Sequence, residues 1–123
     1  MITQKFNPKT HFLEAVYSGN VSLKEILEYN YHIRKNKKYP RKLKILTDAT
    51  EAKFILTKED LKLISEKVRL MLKDYDTVYD AMILSGAKET AYSVLFKGTA
   101  KIKNYRFQYF STKKAAVEWL NSL

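Results

Sequence analysis

The sequence predicts an α/β fold: one mixed sheet whose first strand is antiparallel, followed by four right-handed β-α turns, with the helices mainly on one face. Three observations lead there. Two short apolar runs flank the turn Asn7-Pro8-Lys9-Thr10, which reads as an antiparallel hairpin. Two helix starts, Ser22-Leu23-Lys24-Glu25 and Thr57-Lys58-Glu59-Asp60, each precede apolar residues at helical spacing. Between them lies Lys42–Thr50, a run of apolar and β-branched residues closed by Asp and Thr, and the strand-then-helix step it begins repeats to the end of the chain. A hairpin followed by such alternation demands parallel pairing and right-handed crossovers.

Ile2 to Phe6 and His11 to Tyr17 are the hairpin strands. At Ser22 the hydroxyl can accept from the Glu25 amide while the Glu25 carboxylate reaches back, with Val21 and Ile26 as a hydrophobic staple. Leu23, Ile26, Leu27 and Ile33 mark the apolar face of that helix, interrupted by Asn30, until a basic run and Tyr39-Pro40 end it. The central strand Lys42–Thr50 reads as closed by a polar turn, with a second apolar run at Lys53–Leu56. Thr57 then caps a helix carrying Leu61, Ile64, Val68, Met71 and Leu72, stapled by Leu56 and Leu61. Thr77–Leu84 is a strand closed by Ser85-Gly86. Ala91, Val94, Leu95, Gly98 and Ile102 mark a helical face. Tyr105–Phe110 is an aromatic strand, and Ser111-Thr112 caps a last helix with Ala115, Ala116, Trp119, Leu120 and Leu123.

A chain of 123 residues suits a single domain spanning 1–123, since two pieces would each bury too little surface. No stretch reads as a signal peptide or a membrane span, so a cytoplasmic location is expected. The absence of Cys removes disulfides, thiolate nucleophiles and Cys-based metal sites. His11 and His32 stand alone, and no Ser-His-Asp set can be named, so a non-enzyme without cofactor or metal is expected.

The formal charge of +10 is local. Arg34, Lys35, Lys37, Lys38, Arg41, Lys42 and Lys44 form one run without an acid, and Lys97, Lys101, Lys103, Arg106, Lys113 and Lys114 form another. The remainder holds ten basic and thirteen acidic residues and is slightly acidic. In the expected topology, Arg34, Lys35, Lys37, Lys38, Arg41, Lys101 and Lys103 share the end at which the strands begin. This end suits an anion such as an acidic protein or a phospholipid headgroup surface. Nucleic acid is disfavoured, because no nucleic-acid motif accompanies the charge.

Several stretches resemble the SpoIIAA-like branch of STAS domains: Gly19–Glu25, the strand ending Leu46-Thr47-Asp48-Ala49, Tyr79-Asp80-Ala81 with Glu89-Thr90-Ala91 after it, and the ending Phe110–Leu120. The resemblance covers nearly the whole chain. It implies four β-α turns behind an antiparallel first strand, and a regulatory domain that binds a protein partner. It also implies a fold relation to Sec14-type carriers, which makes a lipid or other apolar small ligand the alternative. The best-known members are switched by phosphorylation of a Ser in an Asp-Ser-Ser-Gly turn, which would fall at Leu56-Thr57-Lys58-Glu59, where only the Thr57 hydroxyl matches.

Three residues define the candidate switch or ligand end, where the strands finish. Asp48 stands where open α/β sheets place ligands, though a turn Asp bonding its own backbone explains it as well. Thr57 is expected to be a plain helix cap. Ser85 opens Ser85-Gly86-Ala87-Lys88, which can hold an anion at a helix start but is expected to be a capped turn. Finally, Glu14, Lys44, Asp80 and Arg106 each interrupt an apolar strand, which predicts a charged ladder across the second face of the sheet. Without such a ladder, that face would instead suit a homodimer.

Overall fold

The structure, a computed structural model, describes all residues from Met1 to Leu123. A five-stranded sheet in the order β1-β2-β3-β4-β5 is formed by β1 (Ile2–Asn7), β2 (Phe12–Ser22), β3 (Lys42–Ile55), β4 (Thr77–Ile83) and β5 (Tyr105–Phe110). β1 pairs antiparallel with β2, and every later pair is parallel. Each crossover carries a helix: α1 (Leu23–Lys35), α2 (Lys58–Met71, followed by a 3₁₀ turn at Leu72–Asp74) and α3 (Ala87–Thr99), with α4 (Lys113–Asn121) after β5. The mixed α/β architecture expected from the sequence is therefore present.

The helix starts form as their residues dictate. The Ser22 hydroxyl accepts from the Glu25 amide, the Thr57 hydroxyl accepts from the Asp60 amide, and both carboxylates return to the cap backbone. Thr112 accepts from the Ala115 amide in the same position of α4. Each cap satisfies an amide that the helix itself leaves unpaired.

The strand expected to stop at Thr50 continues to Ile55. Asp48 Oδ1 accepts from the Thr50 amide (3.0 Å) and hydroxyl (2.7 Å), and the β2–β3 register shifts at this place, from Val16 opposite Asp48 to Ser18 opposite Glu51. The local bond that suggested a turn builds a β-bulge instead, and pairing resumes beyond it. β2 and β3 thus run on as a two-stranded arm past Ile83 and Phe110, where β4 and β5 end. Gly19, on this arm, has φ +64, a conformation that glycine adopts without a Cβ penalty.

Two layers of core result. Leu13, Ala15, Tyr17, Leu43, Ile45, Val78, Met82, Tyr105 and Phe107 pack under α1, α2 and α3. On the reverse face Phe12, Leu46, Ala81 and Ile83 pack against Ala116 and Leu120 of α4. Ala81 and Ile83 thus face α4, and Asp80, expected on this second face, is turned to the larger core instead. The reason is that β4 is buried on both sides, so apolar alternation carries no sign of which face is which.

Consequently the expected charged ladder does not exist. Asp80 is on the wrong face, Lys44 Nζ donates to the Leu123 carbonyl (3.3 Å), and Glu14 accepts from Asn7 Nδ2 (2.9 Å). The second face is covered over β3, β4 and β5 by α4.

Two helix faces also differ from expectation. α1 buries Ile26, Tyr29, Asn30 and Ile33, leaving Leu23 and Leu27 half-buried. α3 buries Glu89, Ser93 and Phe96, while Ala91, Val94, Leu95 and Gly98 face outward.

Candidate functional site

At the end where β4 finishes, Asp48 and Ser85 converge on one residue. The Asp48 carboxylate accepts both polar hydrogens of Thr50, and the Ser85 hydroxyl donates to the Thr50 carbonyl (2.7 Å). Ser85 therefore does not cap α3, as a capped turn would require; the N-cap residue is Gly86, which makes no side-chain cap bond. The buried Glu89 carboxylate lies under this turn, so close that a Cβ on Gly86 would come within 2.6 Å of Oε1. Thr57 is engaged in its capping box, with the Asp60 carboxylate accepting its amide at 2.9 Å. Next to it, the Leu56 carbonyl accepts from Tyr92 of α3 (2.8 Å).

The opposite end is basic, and it is also cross-linked. Arg41, expected to be a free cation, instead donates to the carbonyls of Asp74 (2.7 Å), Asn36 (3.0 Å) and Tyr39 (2.6 Å). Its guanidinium also lies 4.2 Å from the centroid of the Tyr75 ring. Arg41 holds the loop after α1 to the segment before β4 and is not available to a ligand. Arg34 and Lys37 pair with Asp74 at 3.5 and 3.9 Å. The backbone amides of Asp76 and Thr77 donate to the Arg41 carbonyl, and Asn104 Nδ2 donates to the Asp76 carbonyl (3.3 Å), so Lys103 joins the same end. Lys35, Lys37, Lys38, Lys101 and Lys103 are exposed. Asp74 and Asp76 lie among these cations; they come from the loop before β4, outside both basic runs of the sequence.

A third constellation, which the sequence reading missed, lies in the core between the sheet and α1–α3. Asp80 Oδ1 accepts from the buried Thr47 hydroxyl (2.9 Å) and Oδ2 accepts from Tyr105 (3.4 Å). Burial raises the Asp80 pKa from 3.8 to about 6, with both hydrogen bonds opposing the rise. Tyr17, Tyr29 and Tyr105 are all pushed upward by burial, and the Asp80 charge adds to the effect. These groups border a cavity of about 60 Å³ enclosed largely by apolar side chains, Ile64, Val68, Phe54 and Phe96 among them. Tyr29 and Asn30 are among the lining residues, and the Tyr29 hydroxyl and Asn30 Nδ2 have no hydrogen-bond partner. One signal was available in the sequence: Asn30 stands in the middle of an apolar helical face.

There is no group of three or more His, Cys, Asp or Glu side chains positioned to hold a metal. No helix is long and apolar enough to cross a membrane. What the arrangement offers is surfaces and a small cavity.

No protein-family model matches the chain, and no curated protein matches it. Among solved structures, it is similar to an uncharacterized protein of the DUF3478 family with a SpoIIAA-like fold from Shewanella loihica PV-4. The likeness covers 98% of this chain and 92% of that one, at 16% identity and a TM-score of 0.58. The fold is thus SpoIIAA-like, which is the architecture that the sequence resemblance implied.

Proposed function

We propose that this SpoIIAA-like domain is regulatory and acts without catalysis, by binding another protein through the outward face of α3. The observation that carries the reading is the set Ala91, Val94, Leu95 and Gly98. These residues recur at helical spacing, yet all are exposed, with Val94 at 51% and Leu95 at 45% of their surface in water. Amphipathic helices of this kind ordinarily turn their apolar stripe to the core. Here the core side of α3 carries Glu89 and Ser93 together with Phe96, and the stripe is left outside. The outer face of α2 makes the contrast: Lys58, Glu59, Lys62, Glu66, Lys67 and Arg69 are the exposed residues there. Covering Val94 and Leu95 would contribute about 1 to 2 kcal/mol each.

The test is affinity purification from the source cell with mass spectrometry, followed by direct binding of the purified candidate partner to wild type and to V94E/L95E. Loss of at least tenfold in affinity, with an unchanged melting curve, supports the reading. A partner bound equally well by both proteins would refute it.

A second reading is favoured by the cavity. An apolar molecule carrying one polar group would satisfy the Tyr29 hydroxyl and Asn30 Nδ2. At about 60 Å³ the cavity in this state is below the 150 Å³ or so that admits benzene, so a carrier role requires α1 and α2 to part. Extraction of the purified protein with organic solvent and mass spectrometry of the extract distinguishes the two readings.

A further inference from the structure

β5 is an edge strand, and its free side is surrounded by unpaired positive charge. The Asn104 and Phe110 carbonyls accept from Val78 (3.0 Å) and Leu84 (2.9 Å) of the β4 side. Main-chain groups alternate in direction along a strand, so Arg106 and Gln108 also turn their backbone toward β4. Phe107 and Tyr109 then direct their amides and carbonyls outward, a ready template for another strand. The groove along this edge is lined by Lys97, Lys101, Lys103 and Arg106, with Ile102 and Trp119 as its partly buried apolar component. None of the four cations lies within ion-pair distance of a carboxylate. Lys97, rooted on α3, donates to Gln108 on the α4 side of the sheet, so its side chain crosses the edge as a removable guard.

We propose that the edge of β5 receives an extended acidic segment of a partner protein, added to the sheet as a sixth strand. Backbone hydrogen bonds to Phe107 and Tyr109 would supply register, and carboxylates meeting Arg106, Lys101 and Lys103 would supply selectivity. The same cations disfavour a second copy of this chain, because edge-to-edge pairing of two β5 strands would oppose like charges. An acidic strand removes that repulsion and replaces Lys97's bond to Gln108 with an ion pair. The inference stands independently of the α3 reading, since it uses another surface and another kind of contact.

The experiment uses the intact protein and a synthetic peptide of alternating glutamate and valine. Controls are the same peptide with its central valine replaced by proline, and a single-stranded oligothymidylate of equal charge. Binding is followed by fluorescence anisotropy and by amide hydrogen exchange in NMR. The expected result is slowed exchange at Phe107 and Tyr109, with affinity at least tenfold weaker for the proline peptide and for K103E/R106E. If that variant does not fold, the proline contrast and the exchange data decide. The proposal is overturned if the proline peptide or the oligonucleotide binds as well as the alternating peptide. It is equally overturned if Phe107 and Tyr109 gain no protection, or if the peptide does not bind.

Discussion

Asp80 holds a carboxyl group inside the core with only Thr47 and Tyr105 as hydrogen-bond partners, and this couples stability to pH. Its folded pKa, about 6, lies above the unfolded value near 3.8, so the native state holds the proton more tightly than the unfolded chain. The contribution is therefore most favourable below about pH 4 and is lost as pH rises through the folded value near 6. A difference of about two pH units corresponds to about 3 kcal/mol. Asp80→Asn, which cannot ionise, should be more stable relative to wild type at pH 7 than at pH 4 by roughly that amount. Urea titrations at the two pH values measure it, and a gap independent of pH would show that the carboxylate is solvated. Thr57 has a simpler role. Because its hydroxyl and amide complete a capping box with Asp60, Thr57→Ala should cost about 1 kcal/mol while Thr57→Ser should be nearly silent. Phosphate on Thr57 in protein from its native cell would show that the cap is also a switch.

Among the elements, what could be read from sequence was set by whether the signal is local. Ser22, Thr57 and Thr112 announce helix starts because the cap and its target amide lie three residues apart. Strand order was equally accessible, since hairpin and crossovers follow from element succession. The bulge at Asp48 was hidden, because Thr47-Asp48-Ala49-Thr50-Glu51 is turn-like in composition and only pairing with β2 keeps it extended. In α3 the periodicity was correctly detected but its direction was not: spacing locates an apolar stripe, and only tertiary packing says what the stripe faces. Of the candidate site, Asp48 and Ser85 do meet, through Thr50, but the Asp80 cluster gathers residues from five elements, which no spacing reveals. Gly98 belongs to that outward stripe, and a Cβ there meets nothing within 4 Å. Gly98→Ala should accordingly raise stability by about 0.5 to 1 kcal/mol through helix propensity alone. A denaturant midpoint unchanged or lowered would mean that α3 does not depend on this residue for its helical form.

At the scale of the whole molecule, the two ends of the sheet differ in chemistry. Where β4 and β5 finish, Asp48 and Ser85 both bond to Thr50, while at the opposite end cations outnumber the two acids Asp74 and Asp76. The basic residues there are of two functional kinds. Arg41 donates to three carbonyls and stacks on Tyr75, so it joins the loop after α1 to the loop before β4. Lys35, Lys37 and Lys38 are exposed, and only Lys37 approaches an acid, at 3.9 Å. Arg41→Ala should therefore lower stability by about 2 to 3 kcal/mol, since three carbonyls lose a charged donor together. K35E/K38E should leave the melting temperature nearly unchanged but weaken adsorption to anionic phospholipid vesicles by an order of magnitude or so, given about 1 kcal/mol per cation near such a surface. The comparison protein is K58E/K62E, which removes the same charge from the outer face of α2, where acids are interspersed. Vesicle flotation at low and at physiological salt measures the contrast. Equal loss in the two double variants would mean that adsorption follows net charge, and that the basic end is no docking surface but a solubilising one.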